Sequence, residues 1–429
     1  MITRTSRALF IISIIAFCIM IFSMCMNETS EPEVLPKDTL PEQTTAGIKK
    51  DIDFQDFAGS SKCQKCHADI YKDHIQTSHF STSAQALKRN IKGSFKKGEN
   101  IFTYNPDLYV AMEKRDTGLY QVVYYKGEEK IALQFGLTIG SGTKGQSFMR
   151  WQDNKLFQLP LTYYSIAGKW ANSPGFPNKV QYERPITARC MECHTTYADI
   201  ISPAEMEPEE FDRNRIILGV DCEKCHGSGA EHVKFYSENP NEKEGKYITN
   251  PSKLTRQQNL DLCALCHGGR LERKAPSFTY AVGDSLSVFF NTNSLNKTGR
   301  NYISVDVHGN QYGLMSASKC FLKSNTMTCN SCHDIHRNER GKTELFSTRC
   351  QTCHSGEHKK TPQLLTVPES AIKSNCIDCH MALEPSHSIV LNTSGMETPK
   401  AAAFRSHFIS VYNNETKKFI DSLEGRRQR

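Results

Sequence analysis

The sequence predicts a mainly α-helical and irregular fold of short helices, with one antiparallel β-rich insertion in the first half of the chain. Three observations lead to this prediction. The pattern Cys-x-x-Cys-His occurs seven times, and six of its copies lie between residues 190 and 380. Strand-like runs are concentrated between the first and second copies. Around the other copies, connections rich in Pro, Gly and Asn favour short helices over long ones.

The seven motifs share the same order of residues. Histidine makes up only 15 of the 429 residues, so its presence after all seven Cys pairs is not a chance arrangement. The pattern is the attachment signature of haem c, in which two thiolates bond to the porphyrin and the adjacent imidazole binds iron. We therefore predict seven covalently bound haem c groups. The predicted attachment cysteines are Cys63, Cys66, Cys190, Cys193, Cys222, Cys225, Cys263, Cys266, Cys329, Cys332, Cys350, Cys353, Cys376 and Cys379, and the predicted iron ligands are His67, His194, His226, His267, His333, His354 and His380.

Two other uses of a Cys-x-x-Cys pair fit the sequence less well. A zinc site is usually completed by ligands from a distant segment, and a His directly beside the second Cys adds little to it. A dithiol redox centre follows a thioredoxin-like strand, and none of the pairs follows one. The motifs use fourteen of the seventeen cysteines, and Cys18 and Cys25 lie in the N-terminal apolar segment. We expect the one remaining thiol, Cys320, to be a small buried apolar residue.

The density of motifs predicts what fills the interior. From residue 190 to 380 there are about 32 residues for each motif, which is too few to build an ordinary apolar core. We therefore expect a mainly α and irregular multihaem cytochrome c array, in which short helices surround stacked haems. Each helix is expected to carry or follow a motif, and the covalent haems act as staples.

Residues 68 to 189 contain no motif and predict an antiparallel β-rich insertion between haems 1 and 2. Turn-forming residues separate its strands, with Lys126-Gly127 between two of them. Trp151, Trp170, Tyr163 and Tyr164 are expected to pack in the core of the insertion. A weaker β stretch is predicted at 278–303. The predicted strands are 108–112, 120–125, 131–139 and 156–164.

The N-terminal segment predicts export from the cytoplasm. Arg4 and Arg7 precede an apolar run from Ala8 to Met26, and covalent haem attachment in bacteria takes place outside the cytoplasm. The polar stretch that follows has no hydrophobic period, as expected of a solvated leash. We predict a protein on the periplasmic or extracellular side, tethered to the membrane by a lipidated Cys25 or by an uncleaved N-terminal helix.

These observations divide the chain into six predicted segments. A signal sequence or membrane anchor is followed by a flexible tether, a first haem segment, the β-rich insertion, a six-haem region and a C-terminal tail with a frayed end. Their predicted boundaries are 1–26, 27–55, 56–97, 98–185, 186–410 and 411–429.

The charge balance argues against a nucleic-acid partner. The chain has a formal net charge of +7. Seven haems bring about fourteen propionate carboxylates, so the oxidised holoprotein is expected to be near neutral. The predicted partners are redox proteins that donate and accept electrons, and the membrane through the N-terminus.

Eight further histidines are candidates for the second axial position on iron. His232, His336 and His358 each follow a motif His by six residues or fewer. A His so close lies on the same side of its own porphyrin, so it can reach iron only in a neighbouring haem. Such ligands would link haems pairwise. Eight candidates allow all seven irons to be saturated, and Met315 and Met381 are left open as ligands.

Several segments resemble multihaem cytochromes of the cytochrome c-554 type, relatives of the octahaem hydroxylamine oxidoreductases. The residues that carry this resemblance are the run from Gly219 to Val233, the opening from Cys63 to Ala84, and the shorter pieces 172–175, 318–320, 332–336 and 379–381. The resemblance implies that His79, His232 and His336 are distal ligands. It makes His308 and His407 further candidates and leaves His74 and His387 as the weakest. The Cys-x-x-Cys-Lys haem of the related nitrite reductases does not occur here.

Together these features predict an electron carrier more than a catalyst. Iron with two imidazoles mainly passes electrons, whereas iron with an open face can bind a small substrate. We expect electrons to move through a closely packed haem chain, and no catalytic residue is predicted. One alternative is a multihaem oxidoreductase acting on a small nitrogen or sulfur compound at one five-coordinate haem. Another is a haem scaffold in a larger redox complex, with the insertion as a docking module.

Overall fold

Antiparallel sheet makes up almost as much of the structure as helix does. The computed structural model describes residues 52–203, 206–293, 295, 305–355, 364, 367–394 and 399–427. About 30% of these residues are helical and 27% are in strands. The prediction of a mainly α and irregular fold was therefore wrong. Most motif helices are one or two turns long, the helix that carries the fourth motif has 12 residues, and strands occur beside the motifs as well as between the first two.

The first ten strands follow the first motif and form two antiparallel sheets. All four predicted strand regions are confirmed, and the region 131–139 is divided between two strands. The larger sheet has the order β1-β6-β7-β8-β10, with β9 on β8, and the smaller one is the meander β2-β3-β4-β5. The strands are β1 (Ser83–Gln85), β2 (Ile101–Asn105), β3 (Leu108–Arg115), β4 (Gly118–Tyr125), β5 (Glu128–Gln134), β6 (Leu137–Ile139), β7 (Gly145–Gln152), β8 (Lys155–Tyr164), β9 (Lys169–Asn172) and β10 (Arg184–Pro185).

The two sheets are joined through a buried amide and a shared apolar core. Gln121 on β4 is fully buried. Its side chain donates to the Leu161 carbonyl and accepts from the Leu161 amide on β8, at 2.9 and 2.8 Å. Trp170 packs in the core between the sheets, and Tyr164 is also buried. The expected core role of these two aromatic residues is confirmed.

Short helices carry or adjoin the motifs, as the sequence predicts. Side chains cap several of them: Thr187 accepts from the Cys190 amide, Asp221 from the Cys222 amide, and Thr255 forms a capping box with Gln258. A 3₁₀ turn, Cys329–Ser331, forms the fifth motif. The helices are α1 (Ser60–Cys63), α2 (Ala68–His74), α3 (Ala188–His194), α4 (Cys222–His226), α5 (Ala230–Glu238), α6 (Arg256–His267), α7 (Leu286–Phe289), α8 (Gln311–Ser316), α9 (Lys319–Lys323), α10 (Thr343–Gln351), α11 (Glu369–Ser374), α12 (Ile377–His380) and α13 (Asn413–Arg427).

The region between the fourth and fifth motifs has an apolar core made of protein side chains. Leu260 and Leu265 on α6 pack with Phe289, Tyr312 and other buried residues. The prediction that porphyrins alone form the core of the six-haem region was therefore wrong for this part. The average spacing of the motifs was misleading, because this interval leaves enough haem-free sequence to bury side chains of its own.

Three small antiparallel pairs complete the sheet content. They are β11 (Thr195–Ile200) with β12 (Phe211–Leu218), β13 (Glu272–Arg273) with β14 (Phe290–Asn291), and β15 (Leu383–Leu391) with β16 (Lys400–Arg405). Of the weak β stretch predicted at 278–303, only β14 is a strand among the described residues.

The described segments belong to one compact unit that spans Lys49–Arg429. The predicted C-terminal tail is helical over α13, and its Phe419 is buried against Ile372. Helix α13 extends to Arg427, and the frayed end at 425–429 stays a prediction. The predicted signal or anchor and Cys25 lie outside the described residues. Within the described ranges, no helix has both the length and the apolar character that a bilayer crossing requires.

Candidate haem-binding site

The backbone of the motifs brings their three chemically active side chains to one face. In the first motif the His67 amide donates to the Cys63 carbonyl at 2.9 Å, and in the fifth the His333 amide donates to the Cys329 carbonyl at 3.0 Å. Such a helical turn places residues i, i+3 and i+4 on the same side. Both thiols and the imidazole of a motif can therefore meet one planar group. Within the described ranges, none of the fourteen motif cysteines is in a disulfide.

Three motif histidines each face a histidine from a distant part of the chain. The ring centroids of His226 and His336 are 6.1 Å apart, with an interplanar angle of 21°. Those of His267 and His79 are also 6.1 Å apart, at 72°. Those of His333 and His407 are 6.2 Å apart, at 29°. Each of these distant histidines is among the predicted distal ligands.

These separations suit two imidazoles on opposite sides of one iron. A metal–imidazole bond is about 2 Å long, so two such ligands place their ring centroids about 6 Å apart. Aromatic rings in direct contact have centroids about 4.5–7 Å apart, so these separations are compatible with both arrangements. The residues present therefore fit a haem that is held by two axial histidines.

Backbone and side-chain oxygens orient several of the rings. The Nδ1 atom of His226 lies 2.9 Å from the Thr249 carbonyl, and that of His380 lies 2.9 Å from the Ser410 carbonyl. His267 Nδ1 lies 3.1 Å from Oε1 of Gln311. A carbonyl oxygen can only accept, so each of these Nδ1 atoms carries the proton. Nε2 then keeps the lone pair that binds a metal.

Burial keeps further rings in the neutral form that a metal requires. It lowers the pKa of His79, His194 and His407 to about 4 in each case. Nδ1 of His194 and of His407 is buried without a hydrogen-bond partner in the part of the chain that the structure describes. A buried nitrogen without a partner is costly, so these rings are suited to a further bound group.

The ring of His308, another predicted distal ligand, is held by β16. It packs on Phe404, with 5.4 Å between centroids. Burial is the main cause of the low pKa of His194, and the His308 ring lowers it further.

The segment that follows the first motif brings His79 to the fourth motif. The Val220 amide donates to the His79 carbonyl at 2.9 Å, and the Ser83 hydroxyl donates to the His194 carbonyl at 2.7 Å. Gly219 has a φ of 77°, and a Cβ there would lie 2.2 Å from the Phe80 carbonyl oxygen. Glycine is required at this position, because the two segments cross too closely for any side chain.

Thiols of different motifs lie close enough to shift one another's pKa. Such neighbouring thiols link the first motif to the third, the second to the fourth, the fourth to the fifth, and the sixth to the seventh. Because the thiols mark where a porphyrin edge is attached, motifs with such neighbouring thiols hold their porphyrins side by side. The spatial order of the motifs therefore differs from their order in the chain. The pairs are Cys63 with Cys222, Cys193 with Cys266, Cys263 with Cys329, and Cys350 with Cys376.

A buried carboxylate inside the third motif fastens the first motif to it. Glu223 is 4% exposed and accepts three backbone amides. They come from Ala58, Gly59 and Gly229, each at 2.8 Å. Gly59 is the N-cap of α1, so the carboxylate satisfies amides at the start of the first motif helix. This contact holds Cys63 next to Cys222.

Arginines join two further pairs of motifs. Arg189 donates to the Leu265 carbonyl in the fourth motif at 2.6 Å. Arg349 donates to the Cys332 carbonyl in the fifth motif at 2.7 Å and forms two bonds of 2.6 Å with Glu339. The sequence analysis missed these residues. A signal was present, because each arginine stands directly before the first Cys of its motif.

Four further candidate iron ligands lie outside the three ring pairs. His67 and His354 are exposed, and His358 lies outside the described residues. Burial lowers the pKa of His226, and the nearby rings of His336, His67 and His232 lower it further. The Nδ1 atom of His232 lies 2.8 Å from the Lys246 carbonyl.

The remaining two histidines and the remaining thiol are not assigned to a motif, although the ring centroid of His74 lies 6.4 Å from that of His336. His74 is buried, with Nε2 3.2 Å from the Val220 carbonyl. His387 is exposed. Cys320 is half-buried, and burial raises the pKa of its thiol. Across the described ranges, no three His, Cys, Asp or Glu side chains converge as they would around a bare metal ion.

A known family matches the part of the chain that holds the second and third motifs. Residues 150–227 match the family cytochrome c554 and c-prime. The resemblance to cytochromes of the c-554 type is therefore confirmed over this segment. The chain is similar to multihaem c-type cytochromes, and covalently bound haem c is the cofactor that this similarity implies.

One solved structure has a distant likeness to the chain. It is the crystal structure of the outer cell wall cytochrome OcwA, which has 17% sequence identity and a TM-score of 0.48. The match covers 85% of this chain and 81% of that chain. A likeness at these values assigns no property to this chain. No curated protein matches the chain significantly.

Proposed function

We propose that the chain is a heptahaem c-type cytochrome that transfers electrons through closely packed haems outside the cytoplasm. The observation that carries the proposal is the set of three ring pairs, His226 with His336, His267 with His79 and His333 with His407. Each pair has the separation expected across one iron. Iron between two imidazoles has no open position and exchanges single electrons.

The ligands that we propose follow from these contacts. The seven motif histidines are the first ligands, and the three facing rings are second ligands for the third, fourth and fifth motifs. His308 is proposed as a further second ligand, because the resemblance makes it a candidate and its ring is fixed on Phe404. His232 and His358 are proposed to reach neighbouring motifs, since each is too close to its own motif to turn back to it. The fourteen motif cysteines are the proposed attachment sites.

In this proposal the polypeptide orients the iron ligands and excludes water from them. Oxygens at Thr249, Gln311 and Ser410 hold three motif rings in one tautomer. The Glu223 and Arg349 bonds hold neighbouring motifs side by side. They support a path between cofactors that does not follow chain order. Fixed distances between haems favour electron transfer, because few atoms then have to move when an electron arrives.

We expect replacement of one motif pair to remove one haem. In the double variant Cys190→Ala with Cys193→Ala, neither thioether of the second motif can form. The mass of the purified protein under denaturing conditions is expected to fall by one haem, from seven to six. The measurement is intact mass spectrometry, together with iron analysis.

The matched control is Cys320→Ala, which removes the single body cysteine outside the motifs. It is expected to keep all seven haems. A wild-type mass with far fewer than seven haems, or with zinc in place of iron, would contradict the proposal.

The alternative oxidoreductase function has a separate test. Spectra of the oxidised wild-type protein are expected to show low-spin iron only and no change when nitrite or hydroxylamine is added. A high-spin signal that either compound alters would favour an enzyme acting at one five-coordinate haem. No residue is assigned a catalytic role in the present proposal.

We also propose that the N-terminus tethers the protein to a membrane on the periplasmic or extracellular side. Cell fractionation is expected to find the wild type with membranes and Cys25→Ser in the soluble fraction. The reason is that acyl chains contribute about 0.8 kcal/mol for each buried methylene. Cys18→Ser is the control. Retention of Cys25→Ser in the membrane would favour an uncleaved helix, and a soluble wild type would contradict any tether.

A further inference from the structure

The carboxylate of Asp306 collects four hydrogen bonds next to the candidate ligand His308. Its Oδ1 accepts the His308 amide at 3.1 Å and the His387 amide at 3.3 Å. Its Oδ2 accepts the Ser388 amide at 2.8 Å and the Ser386 hydroxyl at 3.3 Å. The first of these bonds closes a turn around His308, and the other three reach β15.

The carboxylate therefore fastens the His308 turn to the hairpin formed by β15 and β16. The opposite strand supplies Phe404, on which the His308 ring packs at 5.4 Å. Lys144 Nζ lies 5.1 Å from the centroid of the same Phe404 ring and donates to the Ala403 carbonyl, so β16 is held in turn by the large sheet region. This hairpin therefore fixes both the backbone and the ring of His308.

The same hairpin leads directly into a second candidate ligand. His407 follows β16 by two residues, and its carbonyl accepts the Ser318 hydroxyl at 3.1 Å. The Ile409 amide donates to that hydroxyl at 2.8 Å. Ser318 thus fixes His407, and Asp306 fixes His308. The two ligands are attached to one element through different residues, so each can be disturbed separately.

We propose that Asp306 is a positioning residue that holds the candidate iron ligand His308 in place. The inference rests on the proposed function and adds a residue that sequence patterns do not single out. Without the carboxylate, three amides and a hydroxyl lose their acceptor, and the turn is released from the hairpin. His308 then spends less time at the iron, while the motif histidine and both thioethers of that haem stay in place.

The test compares Asp306→Ala with His308→Ala in the full haem-loaded protein. Both variants are expected to keep seven haems by mass and to gain a high-spin ferric signal equal to one haem in seven. Added imidazole is expected to abolish the signal in both, because it fills the vacated position. The matched control is Asp212→Ala, whose carboxylate closes the same kind of turn by accepting the Asn214 amide at 2.9 Å. It is expected to stay low-spin.

A chemical readout separates positioning from a general loss of structure. Diethyl pyrocarbonate modifies free imidazoles, and peptide mass mapping reports modification at His308. The peptide is expected to be protected in the wild type and modified in Asp306→Ala, with His407 protected in both. If Asp306→Ala does not assemble, Asp306→Asn keeps one acceptor oxygen and is expected to give a smaller high-spin fraction.

The outcomes are distinguishable. A high-spin signal in His308→Ala with none in either Asp306 variant overturns the positioning role and leaves the ligand assignment intact. No change in His308→Ala overturns the proposed ligand itself. Loss of His407 protection together with that of His308 shows a collapsed hairpin and also overturns the specific role.

Discussion

Replacing Glu223 with alanine is expected to lower the free energy of unfolding by about 2–4 kcal/mol. The carboxylate is the shared acceptor for three backbone amides that join the first motif to the third. Alanine supplies no hydrogen-bond acceptor. Water cannot fully replace the carboxylate at those amides that are buried. The measurement is chemical unfolding of the haem-loaded protein, followed by far-ultraviolet circular dichroism.

Glu223→Gln and Glu231→Ala are the comparison variants. Glutamine keeps one acceptor oxygen and is expected to give an intermediate loss. Glu231 is exposed in the following helix α5, and its replacement is expected to change stability by less than about 0.5 kcal/mol. A Glu223→Ala variant as stable as the wild type would show that the three bonds do not hold the two motifs together.

Replacing His336 with alanine is expected to convert one haem in seven from low-spin to high-spin while all seven haems remain attached. The His336 ring faces His226 at 6.1 Å, whereas both cysteines of the third motif are untouched by the change. The measurements are the ferric absorption and electron paramagnetic resonance spectra, with intact mass for the haem count. Added imidazole is expected to restore the low-spin spectrum.

Arg337→Ala is the matched control for this substitution. Arg337 is the next residue, and its side chain is 63% exposed and paired with Asp73. Its loss is expected to leave the spectra as in the wild type. An unchanged spectrum in the His336 variant would mean that this ring is not an iron ligand, and the ring separations could then not be used to assign the other pairs.

The chemistry within each motif could be predicted from local sequence. A Cys-x-x-Cys-His segment needs only one helical turn to bring two thiols and an imidazole to one face, and the backbone bonds from His67 to Cys63 and from His333 to Cys329 form that turn. The strand prediction also succeeded where apolar and polar residues alternate strongly, as in β3 and β4. Local pattern is sufficient in these cases because the partners are a few residues apart.

The overall balance of structure could not be predicted in the same way. A high density of motifs suggested that helices and porphyrins would fill the six-haem region. The interval around Leu260 and Phe289 instead has its own apolar core. The strands β11 and β12 also lie against the motifs, and the sequence analysis did not predict them.

The sequence by itself determined the attachment chemistry, the list of candidate imidazoles and the strands of the insertion, because each depends on residues close together in the chain. Only the tertiary structure decided which imidazoles face each other and which motifs touch. His79 meets His267, and Cys63 meets Cys222, across long stretches of chain. Contacts of this kind depend on buried partners such as Glu223, Arg349 and Asp306. Their role comes from where packing places them, and a single sequence carries no direct record of that placement.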